Sequence, residues 1–252
     1  MNEKQIKGVM VPVLTPLTPD ENVDIPSLKR LVNYLIENGV HGIWAAGTNG
    51  EFASLSNEQQ VTCIKTVVEA TRGRVPVIGN ISASSTKTSI AIGKAVAGMG
   101  LDGIAATPPY YYAHAQDEIT DHFKYIKSSL DLPLWIYNIP STVKTEVEPS
   151  TIVELAVTDT VTGIKDSSGA GEKLANLRIL CELKSINLYR FIGTINRITT
   201  AGALGAHGVI PGLGNFVPKL ASLGWEAGER YDTESMHKYD SMLTSATQIS
   251  SL

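Results

Sequence analysis

Positive charge is scarce in this chain. Its 252 residues hold 21 Lys and Arg against 25 Asp and Glu, a formal net charge of −4, and no basic cluster breaks the sequence. Binding to nucleic acid or to an anionic membrane surface therefore has no electrostatic footprint. Cysteine is scarcer still: Cys63 and Cys181 are the only two, far apart within helix-like segments. Two reduced structural thiols in a cytoplasmic protein are predicted, not a disulfide framework. No apolar run approaches the ~20 residues of a membrane span, and the opening MNEKQIKGVM lacks the apolar centre of a signal peptide. His41, His114, His122, His207 and His237 show no ligand spacing with Cys, Asp or Glu, so no zinc site is predicted. Residues 98–103 match G-x-G-x-x-G, but between a helix and a strand, the reverse of the dinucleotide order. Neither a nucleophile elbow nor a Walker loop occurs.

What is present is an ordinary globular composition, 43% hydrophobic with 22 Gly and 12 Pro, enough for one large core. Short apolar runs at 9–15, 42–46, 75–81, 103–107, 134–138, 161–165, 189–193 and 208–211 read as strands. Amphipathic stretches at 27–38, 56–71, 87–97, 118–129, 150–156, 171–183, 196–204 and 217–230 read as helices. The strands are nearly all apolar, not alternating, as expected of parallel strands covered on both faces. Eight β-then-α units predict an α/β fold, a (β/α)8 TIM barrel over residues 1–230, with a doubly wound sheet as the other arrangement. Residues 231–252 are expected to begin a C-terminal helical extension, shortened or truncated.

In such barrels chemistry gathers beyond the C-terminal ends of the strands. Those positions hold GTNGE (47–51), PPYYY (108–112), YNIP (137–140) and GIKDSSG (163–169), predicted to surround one cavity. Lys165 is the unusual residue, since a cation at the end of an apolar strand is costly to desolvate unless something uses it. A lysine amine attacks carbonyls only when neutral, about one molecule in 2,500 at pH 7 for an unperturbed group. Enzymes that use lysine this way lower its pKa by burial. The imine it forms with a ketone withdraws electrons, so that a bond beta to the nitrogen can form or break. Tyr137, one strand over, is placed to relay protons. The alternative is a lysine that snorkels to a wet rim beside a core tyrosine. Thr48, Asn49 and the backbone donors of GTNGE suit a carboxylate, or they are a plain turn capped locally. Glu51 either organises that turn or is simply solvated. The Gly212–Gly214 turn is a weak candidate for phosphate.

Together, GTNGE, PYYY, YNIP and GIKDSSG in this order resemble the pyruvate-dependent Schiff-base aldolase family. It includes dihydrodipicolinate synthase, N-acetylneuraminate lyase, 2-keto-3-deoxygluconate aldolase and 4-hydroxy-2-oxoglutarate aldolase. The similarity runs from VPVLTP, near the start, to about residue 230. It implies that Lys165 forms the imine and Tyr137 relays protons. It further implies that Thr48 links Tyr137 to Tyr111, which is donated across a dimer interface. Thr48 and Asn49 would hold the pyruvate carboxylate, and Gly193 and Ile210 would line the pyruvate pocket. The family uses no metal or organic cofactor, and its members are commonly tetramers built from dimers; a homo-oligomer acting on a small 2-keto acid is expected.

Two departures bear on the substrate. Dihydrodipicolinate synthases carry an arginine two residues after the YNVP-type proline, and here that position is Thr142, with Lys144 nearby; a bidentate fork and a hydroxyl are not equivalent. Neuraminate lyases place acidic residues after the glycine of strand seven, where this chain has Ile195 and Asn196. The sequence expectation is therefore cleavage or formation of a 4-hydroxy-2-keto acid, such as a 2-keto-3-deoxy sugar acid or 4-hydroxy-2-oxoglutarate. Its alternatives are 4-hydroxy-tetrahydrodipicolinate synthase activity, a pyruvate-binding pseudoenzyme and a phosphate-binding barrel isomerase.

Overall fold

The structure is a computed structural model and describes residues 6–193 and 197–249. Eight strands close into one parallel barrel in sequence order: β1 Gly8–Pro12, β2 Gly42–Ala45, β3 Val77–Asn80, β4 Gly103–Ala106, β5 Leu134–Asn138, β6 Gly163–Asp166, β7 Tyr189–Ile192 and β8 Gly208–Val209. Around them lie α1 Ile25–Glu37, α2 Asn57–Thr71, α3 Thr86–Val96, α4 Gln116–Ser129, α5 Pro140–Val143, α6 Pro149–Val157, α7 Gly171–Leu183 and α8 Pro218–Glu229. A further helix, α9 Thr233–Ile249, follows the barrel and packs on α8. This is the expected (β/α)8 architecture.

Alternation along each strand sorts the side chains into two cores. Ile43, Ala45, Ile136 and Ile164 face outward into the layer between sheet and helices. Met10, Trp44, Ile78, Trp135, Tyr137 and Phe191 fill the interior. Lys165 pairs in register with Tyr137 on one side and Phe191 on the other, so its side chain shares the interior face.

The helices start where their sequences carry capping residues. The Asp24 carboxylate accepts the Ser27 amide at 3.0 Å ahead of α1, and Pro26 fits the first turn. Leu28, Val32 and Leu35 then recur on one face and are fully buried, each contributing roughly 1.5–3 kcal/mol. Ser56 and Gln59 form a capping box at the start of α2.

The structure shortens several expected strands, β1 ending at Pro12 where 15 was expected and β8 at Val209 where 211 was expected, and it corrects the sequence reading further in units five to seven. The α-helix expected over 196–204 is absent from its described part, which holds 3-10 geometry at Arg197 and at Gly202–Leu204. Its β-branched run of Ile198, Thr199 and Thr200 leads to glycines at 202 and 205, and Gly205 ends the turn at φ 83. The one-turn helix α5 was not anticipated; it starts at Pro140 and stops at Lys144, whose φ is 61. Finally, β6 begins at Gly163 and includes Asp166, whereas the sequence put its start at 161 and its end at the lysine.

Candidate active site

β2, β5 and β6 deliver the chemically interesting side chains to the same end of the barrel. Tyr137 and Lys165 lie side by side across the β5–β6 pair. Both are buried, Tyr137 at 1% and Lys165 at 2% exposure. The Lys165 Nζ stands 4.0 Å from the Tyr137 ring centroid and 5.1 Å from that of Trp44. No ion pair to Lys165 occurs among the described residues. A buried structural lysine is ordinarily paired with a carboxylate, and a snorkelling one reaches water. Lys165 does neither, which removes the wet-rim alternative.

The Tyr137 hydroxyl is paired with the Thr48 Oγ1 at 2.9 Å, so the phenol that faces the amine connects directly to the GTNGE turn. That turn is held in an uncommon backbone conformation. Ala46 and Glu51 at its two ends have φ of 52 and 57, where non-glycine residues are strained. The strain is opposed from below: Asn80 Nδ2 donates to the Ala46 carbonyl at 2.8 Å, and the Gly50 carbonyl accepts from the Thr15 hydroxyl at 2.7 Å. Gly50 is closely packed, since a Cβ there would lie 3.0 Å from the Val13 carbonyl oxygen.

Of the expected pocket residues, Asn49 lies against Gly212, where a Cβ would meet its Nδ2 at 2.8 Å. Gly193 sits beside the lysine: a Cβ there would fall 3.0 Å from the Lys165 Cε and 2.0 Å from the Ser167 Oγ. Ile210 is buried in the same interior cluster as Tyr137. Thr142 lines a cavity of about 270 Å³ together with Thr48, Glu51, Phe52 and Tyr110, although its own hydroxyl donates to the Ile139 carbonyl at 3.2 Å.

One expected contact is not made within a single chain. Thr48 bonds Tyr137, while Tyr111 is 70% exposed with φ 89 and packs edge-on against Tyr112. The Gly212–Gly214 turn, considered for phosphate, opens a 3-10 turn over Gly212–Asn215, in which Asn215 Nδ2 donates to the Pro12 and Gly212 carbonyls. Ile195 and Asn196 lie outside the described residues. No cluster of three or more His, Cys, Asp or Glu able to hold a metal occurs among the described residues.

Sequence reasoning passed over a second pair directly behind the first. Asn138 and Asp166 are the next residues along β5 and β6 and point to the outer face, where Asn138 Nδ2 donates to Asp166 Oδ1 at 2.8 Å. Asn138 Oδ1 accepts the Val147 amide, and Ser168 donates its hydroxyl to the other Asp166 oxygen. Burial pushes the Asp166 carboxyl above the usual range, against the opposing pull of the Asn138 and Ser168 hydrogen bonds. This clamp fixes the relative height of the strand ends that carry Tyr137 and Lys165. The signal for it was the polar residue next to each: the N of YNIP and the D of GIKDSSG.

A profile of the dihydrodipicolinate synthetase family matches residues 5–248. A 4-hydroxy-tetrahydrodipicolinate synthase from Oceanobacillus iheyensis is 36% identical over 202 residues, 80% of this chain and 68% of that protein. The chain belongs to the dihydrodipicolinate synthetase family. Among solved structures, the dihydrodipicolinate synthase of Bacteroides thetaiotaomicron superposes with a TM-score of 0.91 at 30% identity, covering 98% of this chain and 83% of that one. YagE, a prophage protein of the same family from E. coli K12 solved with pyruvate, superposes with a TM-score of 0.92 at 25% identity, covering 98% and 83%. This member of the dihydrodipicolinate synthetase family is thus a carbon–carbon lyase of the class I, Schiff-base type. On the choice of reaction, the names of its relatives weigh against the order expected from sequence: they favour the synthase, there the alternative, over the keto-acid lyase.

Proposed function

We propose that this protein makes or breaks a bond at the methyl carbon of pyruvate through an imine at Lys165. The observation that carries the reading is Lys165 itself, buried with no carboxylate partner among the described residues and in register beside a tyrosine whose hydroxyl is already engaged by Thr48. The neutral amine adds to the ketone carbon, and the former carbonyl oxygen leaves as water, giving a protonated imine. Its positive nitrogen draws electrons from the neighbouring carbon, which loses a proton to give an enamine. The enamine carbon attacks an aldehyde, whose oxygen takes a proton and becomes a 4-hydroxyl. Water then frees the product from the lysine, and the reverse sequence cleaves it. Tyr137 carries the proton from amine to departing oxygen, and Thr48 keeps its hydroxyl oriented. Thr48 and Asn49 hold the carboxylate, with Gly193 and Ile210 as the walls of the pyruvate pocket.

For the second substrate, the names of the relatives support 4-hydroxy-tetrahydrodipicolinate synthase activity, with aspartate semialdehyde as the aldehyde. A specific observation favours the other reading in one of its two forms, cleavage of a 2-keto-3-deoxy sugar acid; 4-hydroxy-2-oxoglutarate, like the semialdehyde, brings a second carboxylate. Thr142 presents no cation to the cavity beside Thr48, and the charged residue lining that cavity is Glu51; a second carboxylate gains nothing there. A panel of aspartate semialdehyde with pyruvate, 2-keto-3-deoxygluconate and 4-hydroxy-2-oxoglutarate separates the readings. Preference for the semialdehyde supports the synthase; turnover of none, with pyruvate still bound, contradicts both and returns a binding protein.

The active unit is read as a homo-oligomer, dimer or tetramer, of a cytoplasmic enzyme, in which Tyr111 of a second copy completes the chain of hydroxyls at Thr48. Its exposed ring and φ of 89 support that reading. Residues 1–230 are read as the catalytic barrel and α9 as a helical extension of it.

A further inference from the structure

We infer that Trp44 is a positioning residue for the reacting nitrogen: its indole face holds the Lys165 nitrogen in place and steadies the positive charge that develops there as the protonated imine forms. This rests on the proposed imine at Lys165 and adds a residue that the GTNGE, YNIP and GIKDSSG motifs do not contain.

The Nζ lies 5.1 Å from the Trp44 ring centroid and 4.0 Å from that of Tyr137, inside the range at which a ring quadrupole attracts a cation. The two rings are themselves 5.6 Å apart and inclined at 75°, so they form two walls of a corner. Lys165 is almost fully buried and has no carboxylate partner among the described residues. A protonated imine formed there is a desolvated cation that must be compensated by what surrounds it, and two aromatic faces lie beside that nitrogen. Cation–π attraction is strongest under such desolvation.

Filling the barrel does not by itself call for tryptophan. Trp44 is fully buried and its Nε1 has no hydrogen-bond partner among the described residues, a cost that leucine or methionine would avoid at the same place. The indole edge also touches the site from below: a Cβ at Gly47 would stand 2.9 Å from its Cδ1 and 3.0 Å from its Nε1. One side chain therefore contacts the amine with its face and the base of the Thr48–Asn49 turn with its edge. Because the protonated imine is a cation, whereas the attacking amine and a neutral imine are not, the face favours the electron-withdrawing form of the adduct.

The test compares Trp44→Leu and Trp44→Phe for the rate of pyruvate-dependent, borohydride-reducible adduct formation, with thermal unfolding of each measured alongside. Trp44→Leu is expected to fold and to slow adduct formation about tenfold. Trp44→Phe, which keeps an aromatic face, is expected to lose no more than about threefold. Equal rates for the folded Leu variant and the parent overturn the inference, as do equal losses in Leu and Phe. If the Leu variant does not fold, the emission of Trp44 decides, read in Trp135→Phe/Trp225→Phe protein. It should change on adding pyruvate, and the same protein with Lys165→Ala should give no change; an unchanged signal in the first protein overturns the inference. Absence of any adduct in the parent protein is a different outcome, because it overturns the imine itself.

Discussion

The Oγ1 of Thr48 lies 2.9 Å from the hydroxyl of Tyr137, joining the turn after β2 to the residue beside Lys165. If that bond orients the proton relay, the two residues act as one unit. Tyr137→Phe is expected to lower kcat by about 10²–10⁴-fold, and Thr48→Val by roughly tenfold or more. Residues acting together are non-additive, so the double variant should be little worse than Tyr137→Phe alone. Steady-state kinetics on the three variants checks this, and additive losses would separate the roles.

The cavity beside Thr48 should reveal its preference when its charge is changed. Thr142→Arg places a guanidinium where the chain has a hydroxyl. Turnover of aspartate semialdehyde relative to 2-keto-3-deoxygluconate is expected to rise about tenfold, in line with a charge-assisted bond of roughly 1.5 kcal/mol or more. An unchanged ratio of kcat/KM values would show that this wall does not select the aldehyde.

A histidine outside the chemistry predicts how stability responds to acid. Burial holds His122 neutral, its pKa lowered from 6.5 to about 4 despite the Thr107 carbonyl at its Nε2. Its unfolded form takes a proton first as pH falls. The associated stability is therefore complete above 6.5, drains between 6.5 and about 4, and is gone below. The shift corresponds to on the order of 3 kcal/mol. His122→Gln can still reach Thr86 and Thr107, and urea unfolding at pH 7 and pH 5 should show the variant losing less stability than the parent over that interval.

Asp166 works in the opposite sense. Its folded pKa is raised by burial, so the folded state binds the proton more readily, and the burial penalty is full at neutral pH and relieved on acidification. Asp166→Asn keeps an oxygen for the Asn138 amide without the charge. The difference in Tm between variant and parent should be most favourable to the variant near pH 7 and should shrink towards the unperturbed carboxylate range. A difference independent of pH would mean that the carboxyl is not the cause.

Periodicity was enough for the barrel, because strands buried on both faces leave uninterrupted apolar runs; LWIYN at 134–138 coincides with β5 and GEKLANLRILCEL with α7. It failed over 197–204, the described part of a polar, β-branched stretch that looked helical and where local glycines won. The placement of Lys165 and Tyr137 was legible from strand ends alone. Their burial and pairing to Thr48 were not, since contacts between strands 89 residues apart follow from register rather than from spacing. The Asn138–Asp166 clamp escaped notice because its partners lie on the outer face of two different strands. Trp44 escaped because an aromatic residue in an apolar run reads as core filling.

The central claim is that Lys165 forms a covalent imine with pyruvate, and reductive trapping tests it most directly. Protein incubated with pyruvate, reduced with borohydride, digested and sequenced by mass spectrometry should carry one pyruvate-derived adduct, on Lys165. Lys165→Ala should carry none while retaining the parent's Tm to within a few degrees. An unmodified Lys165, or an adduct on another lysine at equal yield, would contradict the account.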